Sequence, residues 1–322
     1  MCHDWSGTGL LSGNGTLIGA VDQDNNTPLH IAAGSGDTDL VDLLLTKGAP
    51  TEATNKYNNT PLHLAAYSGH TVAVELLLRK GASIEAINTY NSTPLHFAAW
   101  NGHTDTAELL LKEGALIESI NIFDNTSLHL AVYSGCTGIV ELLLEQGASI
   151  EPIGENGNAP LHLAATSGHT GTVALLLGKG ASVEALNAYN STPLHYAAWN
   201  GHTETVKLLL TKDAKIQATN KYCNTPLHLA AYSGRTGVVE LFLGKGAPIA
   251  AMDEKDNTPL HFAAEHGQTS TVGLLLQKGA PIDVKNMDNC TPFDLATRNG
   301  HFDVVRLLET KSAESVILEH ST

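Results

Sequence analysis

The chain has 322 residues, of which 42% are hydrophobic and 16% charged, and its formal net charge is −15. This excess of acids argues against nucleic-acid binding, which needs a basic surface to displace counterions from phosphates. No apolar run approaches the roughly 20 residues needed to cross a bilayer, and residues 1–8 lack the basic start and apolar stretch expected of a signal peptide.

The first 21 residues are predicted to form an N-terminal segment outside the regular part of the chain. Within it, Leu10 to Ala20 matches the last part of a 33-residue repeat, with Leu11 in the position of Leu44. The segment is therefore either a degenerate cap or the end of an earlier repeat of a longer protein. We expect a poorly capped end to expose apolar surface and to favour self-association.

A four-residue motif, Thr-Pro-Leu-His, recurs at a period of 33 residues through the rest of the chain. It begins at Thr27, Thr60, Thr93, Thr192, Thr225 and Thr258, and variants begin at Thr126, Ala159 and Thr291. A fixed period of this size indicates stacked supersecondary units rather than one globular core. We place nine repeats at 22–54, 55–87, 88–120, 121–153, 154–186, 187–219, 220–252, 253–285 and 286–318, the last as a C-terminal cap. Residues 319–322 are a tail, and the segment from Lys311 onward is expected to be a partly ordered extension.

The second repeat shows how each repeat is expected to fold. Its Asn-rich start, residues 55–59, is typical of a turn. Thr60 is a good N-cap, the proline after it suits the first helical position, and Gly69 ends a short helix. Thr71 is expected to cap a second helix. Helices this short are marginal in water, so stacking of their Leu and Ala stripes on neighbouring repeats must supply the missing burial.

The pattern N-x-x-N-x-T-P-L-H-x-A-A-x-x-G-H-T-x-x-V-x-L-L-L-x-x-G-A, which runs from residue 22 to about 311, resembles the ankyrin repeat. The resemblance implies an all-α solenoid of stacked helix-turn-helix units with short β-hairpin tips, curved with a concave groove. It also implies a non-enzymatic scaffold that binds a partner protein or peptide through the tips and the inner helix face. The family's usual tip glycine is retained only at Gly157; elsewhere stand residues that tolerate a left-handed backbone, and at Cys223 one that suits it less well.

Sixteen histidines invite a metal or catalytic interpretation, but thirteen of them follow the repeat. Equivalent residues of adjacent repeats lie about 10 Å apart, whereas ligands of one zinc ion lie about 2 Å from it. We therefore predict no metal, no cofactor and no enzyme, and expect the motif histidines to join adjacent tips by hydrogen bonds. The motif histidines are His30, His63, His96, His129, His162, His195, His228 and His261.

The four cysteines indicate the redox setting of the chain. Cys2, Cys136, Cys223 and Cys290 form no CxxC pair, and the last three are expected to lie too far apart to bridge. We therefore expect a reduced, intracellular location, in the cytoplasm.

Two aromatic columns remain once the repeat itself is accounted for. The tip column, three residues before the motif, is Tyr57, Tyr90, Phe123, Tyr189 and Tyr222. The helix column, at the end of each first helix, is Tyr67, Trp100, Tyr133, Trp199 and Tyr232. Since Tyr and Trp are enriched at binding hot spots, we expect both columns to line the groove and to bind the partner. Lys56 and Lys221, beside two tips, are expected to pair with acids of that partner.

Three other interpretations stay open. In the first, the rings only pack against one another, or are inherited by duplication, because the third and sixth repeats are close copies 99 residues apart. In the second, the rings form a cage for a cationic ligand such as a methylated lysine. In the third, the chain is the targeting module of a larger enzyme, channel or effector. Asn156 and Thr166 interrupt both columns in the fifth repeat and are expected to split the groove into two patches.

Overall fold

The computed structural model describes residues 18–319, which form two compact bodies divided between Ser149 and Ile150. Residues 1–17 of the predicted N-terminal segment and 320–322 of the predicted tail lie outside the described residues, and the predicted self-association stays a prediction. Residues 18–319 contain 18 α-helices, one 3₁₀ turn and no β-strand. The predicted all-α class is therefore confirmed.

The N-terminal body contains four pairs of short helices. Their bounds are α1 Pro28–Ser35, α2 Thr38–Thr46, α3 Pro61–Ser68, α4 Thr71–Arg79, α5 Pro94–Asn101, α6 Thr104–Lys112, α7 Ser127–Tyr133 and α8 Thr137–Glu145. Odd-numbered helices are the first helices of their repeats, and even-numbered helices are the second.

The C-terminal body begins with the 3₁₀ turn Glu155–Gly157 and continues with five helix pairs. Their bounds are α9 Pro160–Ser167, α10 Thr170–Gly178, α11 Pro193–Asn200, α12 Thr203–Thr211, α13 Pro226–Tyr232, α14 Thr236–Gly244, α15 Pro259–Glu265, α16 Thr269–Gln277, α17 Pro292–Arg298 and α18 Phe302–Glu319. The last helix has 18 residues. The expected partly ordered extension after Lys311 is therefore a continuation of this helix as far as Glu319.

The helices of each body form two layers. First helices of successive repeats pack on one another, as α1, α3, α5 and α7 do, and second helices pack in the same way. The first helix of the second repeat buries Leu62, Ala65 and Ala66 completely, and its second helix buries Val74 and Leu77. Full burial of one such leucine contributes about 1.5–3 kcal/mol. Stacking therefore stabilises helices that would not persist alone.

The first helices begin and end as their sequence predicts. Thr60 takes an extended backbone before α3, with Pro61 in the first turn. Gly69 ends the helix with a left-handed backbone at φ 75°. A side chain at this glycine would also clash with the imidazole of His103 in the next repeat. Glycine is therefore required here both by the backbone conformation and by the close approach of the next repeat.

The second helices begin one residue earlier than predicted. His70, not Thr71, is the N-cap of α4, and it directly follows Gly69, the C-cap of α3. The hydroxyl of Thr71 instead lies 2.8 Å from the hydroxyl of Thr106 in the next second helix. Two further pairs of threonines repeat this contact, Thr170 with Thr205 and Thr236 with Thr271.

The tips are tight turns rather than regular β-hairpins. In the second repeat, the amide of Asn55 donates to the carbonyl of Asn59 at 3.0 Å. The side-chain oxygen of Asn55 accepts the amides of Tyr57 and Asn59. One backbone bond joins this tip to the next, from the amide of Thr89 to the carbonyl of Tyr57 at 3.0 Å. A single bond between neighbouring tips is too little for a strand ladder.

The left-handed tip residues lie where the sequence predicts them. Positive φ angles occur at Asn25, Asn58, Asn91, Asp124, Gly157, Asn190, Cys223, Asp256 and Asn289. Cys223 adopts φ 58° despite its side chain. In the fifth repeat Asn156 is left-handed as well, at φ 58°, and this produces the 3₁₀ turn. The tip of that repeat therefore differs in conformation as well as in sequence.

Ala159 stands where the other eight motifs have threonine, and Ala159→Thr is expected to stabilise the protein. In the sixth repeat the hydroxyl of Thr192 lies 2.9 Å from Nδ1 of His195, whereas Nδ1 of His162 has only the amide of Ala159. Restoring the hydroxyl should raise the free energy of unfolding by about 1 kcal/mol. Urea unfolding measures it, and the matched variant Thr192→Ala should lower the same quantity by a similar amount. A less stable Ala159→Thr variant would contradict the prediction.

Candidate functional site

The motif histidines join neighbouring repeats, as predicted. Nδ1 of His63 accepts the amide of Thr60 at 3.1 Å. Because Nδ1 is the acceptor, the ring proton is on Nε2, which donates to the carbonyl oxygen of Ser92 at 3.0 Å. The same forward bond is made by His30, His96, His162, His195, His228 and His261. With both nitrogens engaged, these rings are structural groups.

Burial keeps these histidines neutral. It lowers the pKa of His63, His96 and His195 to about 4, although hydrogen bonds to backbone carbonyls partly oppose the shift. Burial also lowers the pKa of His30, His162, His228 and His261. An imidazole with a pKa near 4 is poorly matched to general acid-base work at neutral pH. Among residues 18–319 no three His, Cys, Asp or Glu side chains are grouped so as to hold a metal ion.

The ninth repeat has Asp294 in place of the motif histidine. Its carboxylate accepts the amide and the hydroxyl of Thr291, both at 2.8 Å. These bonds cap α17 from within the ninth repeat itself. The role of this repeat as a C-terminal cap stays a prediction.

A second set of side chains holds the C-terminal ends of the first helices. Nε2 of His103 donates to the carbonyl of Tyr67 at 2.9 Å. Arg235 and Gln268 occupy the equivalent positions later in the chain and donate to the carbonyls of Trp199 and Tyr232. The backbone of each of these helix-column residues is therefore fixed by the next repeat.

A column of glutamates also links repeats. The carboxylate of Glu52 accepts the amide of Ser83 at 2.9 Å, and that of Glu85 accepts the amide of Leu116 at 2.8 Å. Glu118, Glu151 and Glu184 make the corresponding bonds to the next repeat. These glutamates are in contact with solvent, and each also accepts a hydrogen bond from the next repeat. The sequence alone does not reveal that bond.

Nine of the ten aromatic residues in the two columns are exposed, by 37% to 50%, and Tyr232 is half-buried. Within the helix column, Trp100 stacks on Tyr133 at 5.6 Å between ring centroids. Trp199 lies 5.3 Å from Tyr232 in the C-terminal body. These rings therefore support one another, and all but Tyr232 still present almost half of their surface to solvent.

The C-terminal body brings the two columns together. Tyr189 and Tyr222 of the tip column and Trp199 and Tyr232 of the helix column line one cleft of about 320 Å³, which we call the aromatic cleft. Its other aromatic walls are Tyr196 and Phe262. Sequence reasoning missed these two residues. The available signal was the position after the motif histidine, which holds a large ring in only some repeats.

The two lysines beside the tips have different surroundings. The ammonium of Lys56 pairs with the carboxylate of Asp24 and lies 4.8 Å from the ring centroid of Tyr57. The ammonium of Lys221 lies 4.0 Å from the centroid of Tyr189 and 4.9 Å from that of Tyr222. Both lysines therefore contact the tip column.

One polar atom of the aromatic cleft has no hydrogen-bond partner. The buried side-chain oxygen of Asn224 is unpaired. In the second repeat the equivalent oxygen of Asn59 accepts the side-chain amide of Asn88 at 3.0 Å. Asp253 takes the place of that donor after Asn224, and a carboxylate has no N–H to give. The substitution explains the unpaired oxygen.

Comparison with known proteins agrees with this architecture. A family model described as ankyrin repeats in three copies matches overlapping segments at 8–88, 29–124, 84–154, 128–220, 184–253 and 227–317. No curated protein matches the chain. Across residues 18–319 every helix is too short or too polar to cross a membrane. Ankyrin repeat domains are typically non-catalytic modules that bind other proteins, and this chain belongs to the ankyrin repeat family.

Proposed function

We propose that the chain is a scaffold that binds a partner protein or peptide through the two aromatic columns, which line its predicted concave groove. The observation that carries the proposal is the aromatic cleft, where residues of both columns meet around about 320 Å³ of open space. Rings that are nearly half exposed have apolar surface left to bury against a partner. Aromatic residues of this kind dominate the energetics of protein interfaces.

The internal contacts of the rings favour a binding role over packing alone. Trp199 is held by its neighbour Tyr232 and, through its carbonyl, by Arg235. It remains 44% exposed. A ring that is positioned in advance loses little conformational entropy when it binds, which increases affinity. If packing were its whole role, more of its surface would be covered.

We place this function in the cytoplasm. Cys136, Cys223 and Cys290 are free thiols. Compartments that keep thiols reduced suit a chain in which these three described cysteines do not pair.

Replacing Trp100 and Trp199 together with alanine tests the proposal. Each change removes an interface hot spot, so binding of the partner should weaken by at least about 30-fold. The partner is obtained by affinity capture on the wild-type chain and identified. Its affinity for each variant is then measured by titration calorimetry.

The matched control is Phe302→Ala, which removes an aromatic ring that is 69% exposed and lies outside both columns. This variant should bind as the wild type does. Thermal unfolding followed by circular dichroism verifies that the double variant is folded. A folded double variant that binds the partner with unchanged affinity would refute the proposal.

A further inference from the structure

Lys56 and Lys221 occupy equivalent positions in their tips, but each has a different neighbour in the preceding tip. Beside Lys56 that residue is Asp24, whose carboxylate pairs with the ammonium. Beside Lys221 the equivalent residue is Tyr189, which offers an aromatic face instead. Lys221 makes no ion pair with any residue in the part of the chain that the structure describes. Its positive charge is therefore uncompensated.

This charge stands at the edge of the aromatic cleft. The two rings that Lys221 contacts, Tyr189 and Tyr222, both belong to the lining of the cleft. No carboxylate lines the cleft, and His195 within it is neutral at pH 7 because burial lowers its pKa to about 4. A ligand in the aromatic cleft therefore meets the positive charge of Lys221.

The ammonium of Lys221 has N–H groups that can donate hydrogen bonds to a ligand. An ammonium carries three N–H donors, and no described atom accepts one from Lys221. A carboxylate can approach from the solvent side while the rings stay beneath the cation. A cationic ligand must instead displace Lys221 from its rings and approach a like charge, which disfavours it.

We infer that the aromatic cleft binds an acidic peptide segment: one apolar side chain enters between the rings, and a neighbouring aspartate or glutamate pairs with Lys221. This inference rests on the proposed function and adds the chemistry of the partner. It makes Lys221 the residue that distinguishes acidic from basic sequences, whereas Lys56 is already paired within the chain.

An array of blocked heptapeptides tests this inference. Each peptide has a central leucine, phenylalanine or tryptophan, flanked on both sides by aspartate, asparagine, lysine or trimethyllysine. Affinities for the full-length chain are measured by fluorescence polarisation. Aspartate-flanked peptides should bind roughly two- to fivefold more tightly than asparagine-flanked ones, the range expected for an exposed ion pair. Both lysine series should bind more weakly still.

Three variants assign any preference to a residue. Lys221→Met, which keeps the apolar stem, should abolish the preference for aspartate over asparagine. The matched control Lys56→Met should retain it. Trp199→Ala should weaken binding of every peptide, because it removes a wall of the cleft. Circular dichroism verifies folding, which is expected because Lys221 is an exposed residue.

Each contrary outcome has a defined meaning. Retention of the aspartate preference in Lys221→Met, unchanged binding to Trp199→Ala, or tightest binding of a lysine or trimethyllysine series overturns the inference. So does an array on which no aspartate-flanked peptide binds the wild type. None of these results refutes the proposed function, because that proposal is tested separately by the captured partner and the double tryptophan variant.

Discussion

Lowering the pH from 6 to 5 is expected to reduce the free energy of unfolding by about 3 to 4 kcal/mol. The cause is the set of buried motif histidines. In the unfolded chain an imidazole takes up its proton near pH 6.5, whereas burial lowers the pKa of His63, His96 and His195 to about 4 in the folded protein. Between these values the unfolded state binds more protons, so stability falls as the pH falls.

The pH window follows from the same pKa values. Above about pH 7 these histidines are neutral in both states and should give no slope, and below about pH 4 they are charged in both. Urea unfolding followed by circular dichroism at half-unit steps from pH 8 to 4.5 measures the curve. His195→Gln should lower the slope between pH 6 and 5 by about a third of the part due to these three residues. Stability that does not change between pH 6 and 5 would contradict the prediction.

Replacing His195 with alanine is expected to cost about 3 to 5 kcal/mol of stability at pH 7. The ring is fully buried and links two repeats. Its removal leaves the amide of Thr192 without a partner and removes one of the two hydrogen bonds to the carbonyl of Asn224, which keeps the amide of Asn220. An unsatisfied buried group costs about 1–3 kcal/mol, and the lost bond between repeats and the vacated ring volume add to that cost.

Thr192→Ala is the matched control for this substitution, because it removes the hydroxyl contact but keeps the imidazole. Its cost should be about 1 kcal/mol. Urea unfolding of both variants under the same conditions gives the comparison. Equal costs would show that the helix cap, and not the bond between repeats, is what His195 supplies.

The sequence predicts the fold well because the residues that begin, end and join the helices recur from repeat to repeat. The Thr-Pro start, the closing glycine and the motif histidine all act within one repeat or on the next backbone carbonyl. The N-cap of the second helix was predicted wrongly at Thr71, since His70 takes that position. The hydroxyl of Thr71 contacts Thr106, 35 residues later, and no local pattern within one repeat reveals that partner.

The candidate site is less predictable because its properties depend on pairs of neighbouring tips. Lys56 and Lys221 occupy the same position within their repeats. Their surroundings differ because Asp24 precedes one and Tyr189 the other. A comparison of residues one period apart would have found this difference, but the open cleft between Trp199 and Tyr222 required coordinates. Whether the ten aromatic residues bind a partner stays a prediction.

The forward direction of the histidine bonds has a consequence for synthesis on the ribosome. His63 needs the carbonyl of Ser92, and His195 needs that of Asn224, each 29 residues further along the chain. A repeat that has just emerged therefore lacks an acceptor until the next tip has followed it. The growing end of the nascent chain always carries one incomplete repeat. In the ninth repeat, Asp294 replaces the histidine and accepts the amide of Thr291 within the same repeat. Its bond therefore does not wait for a later tip.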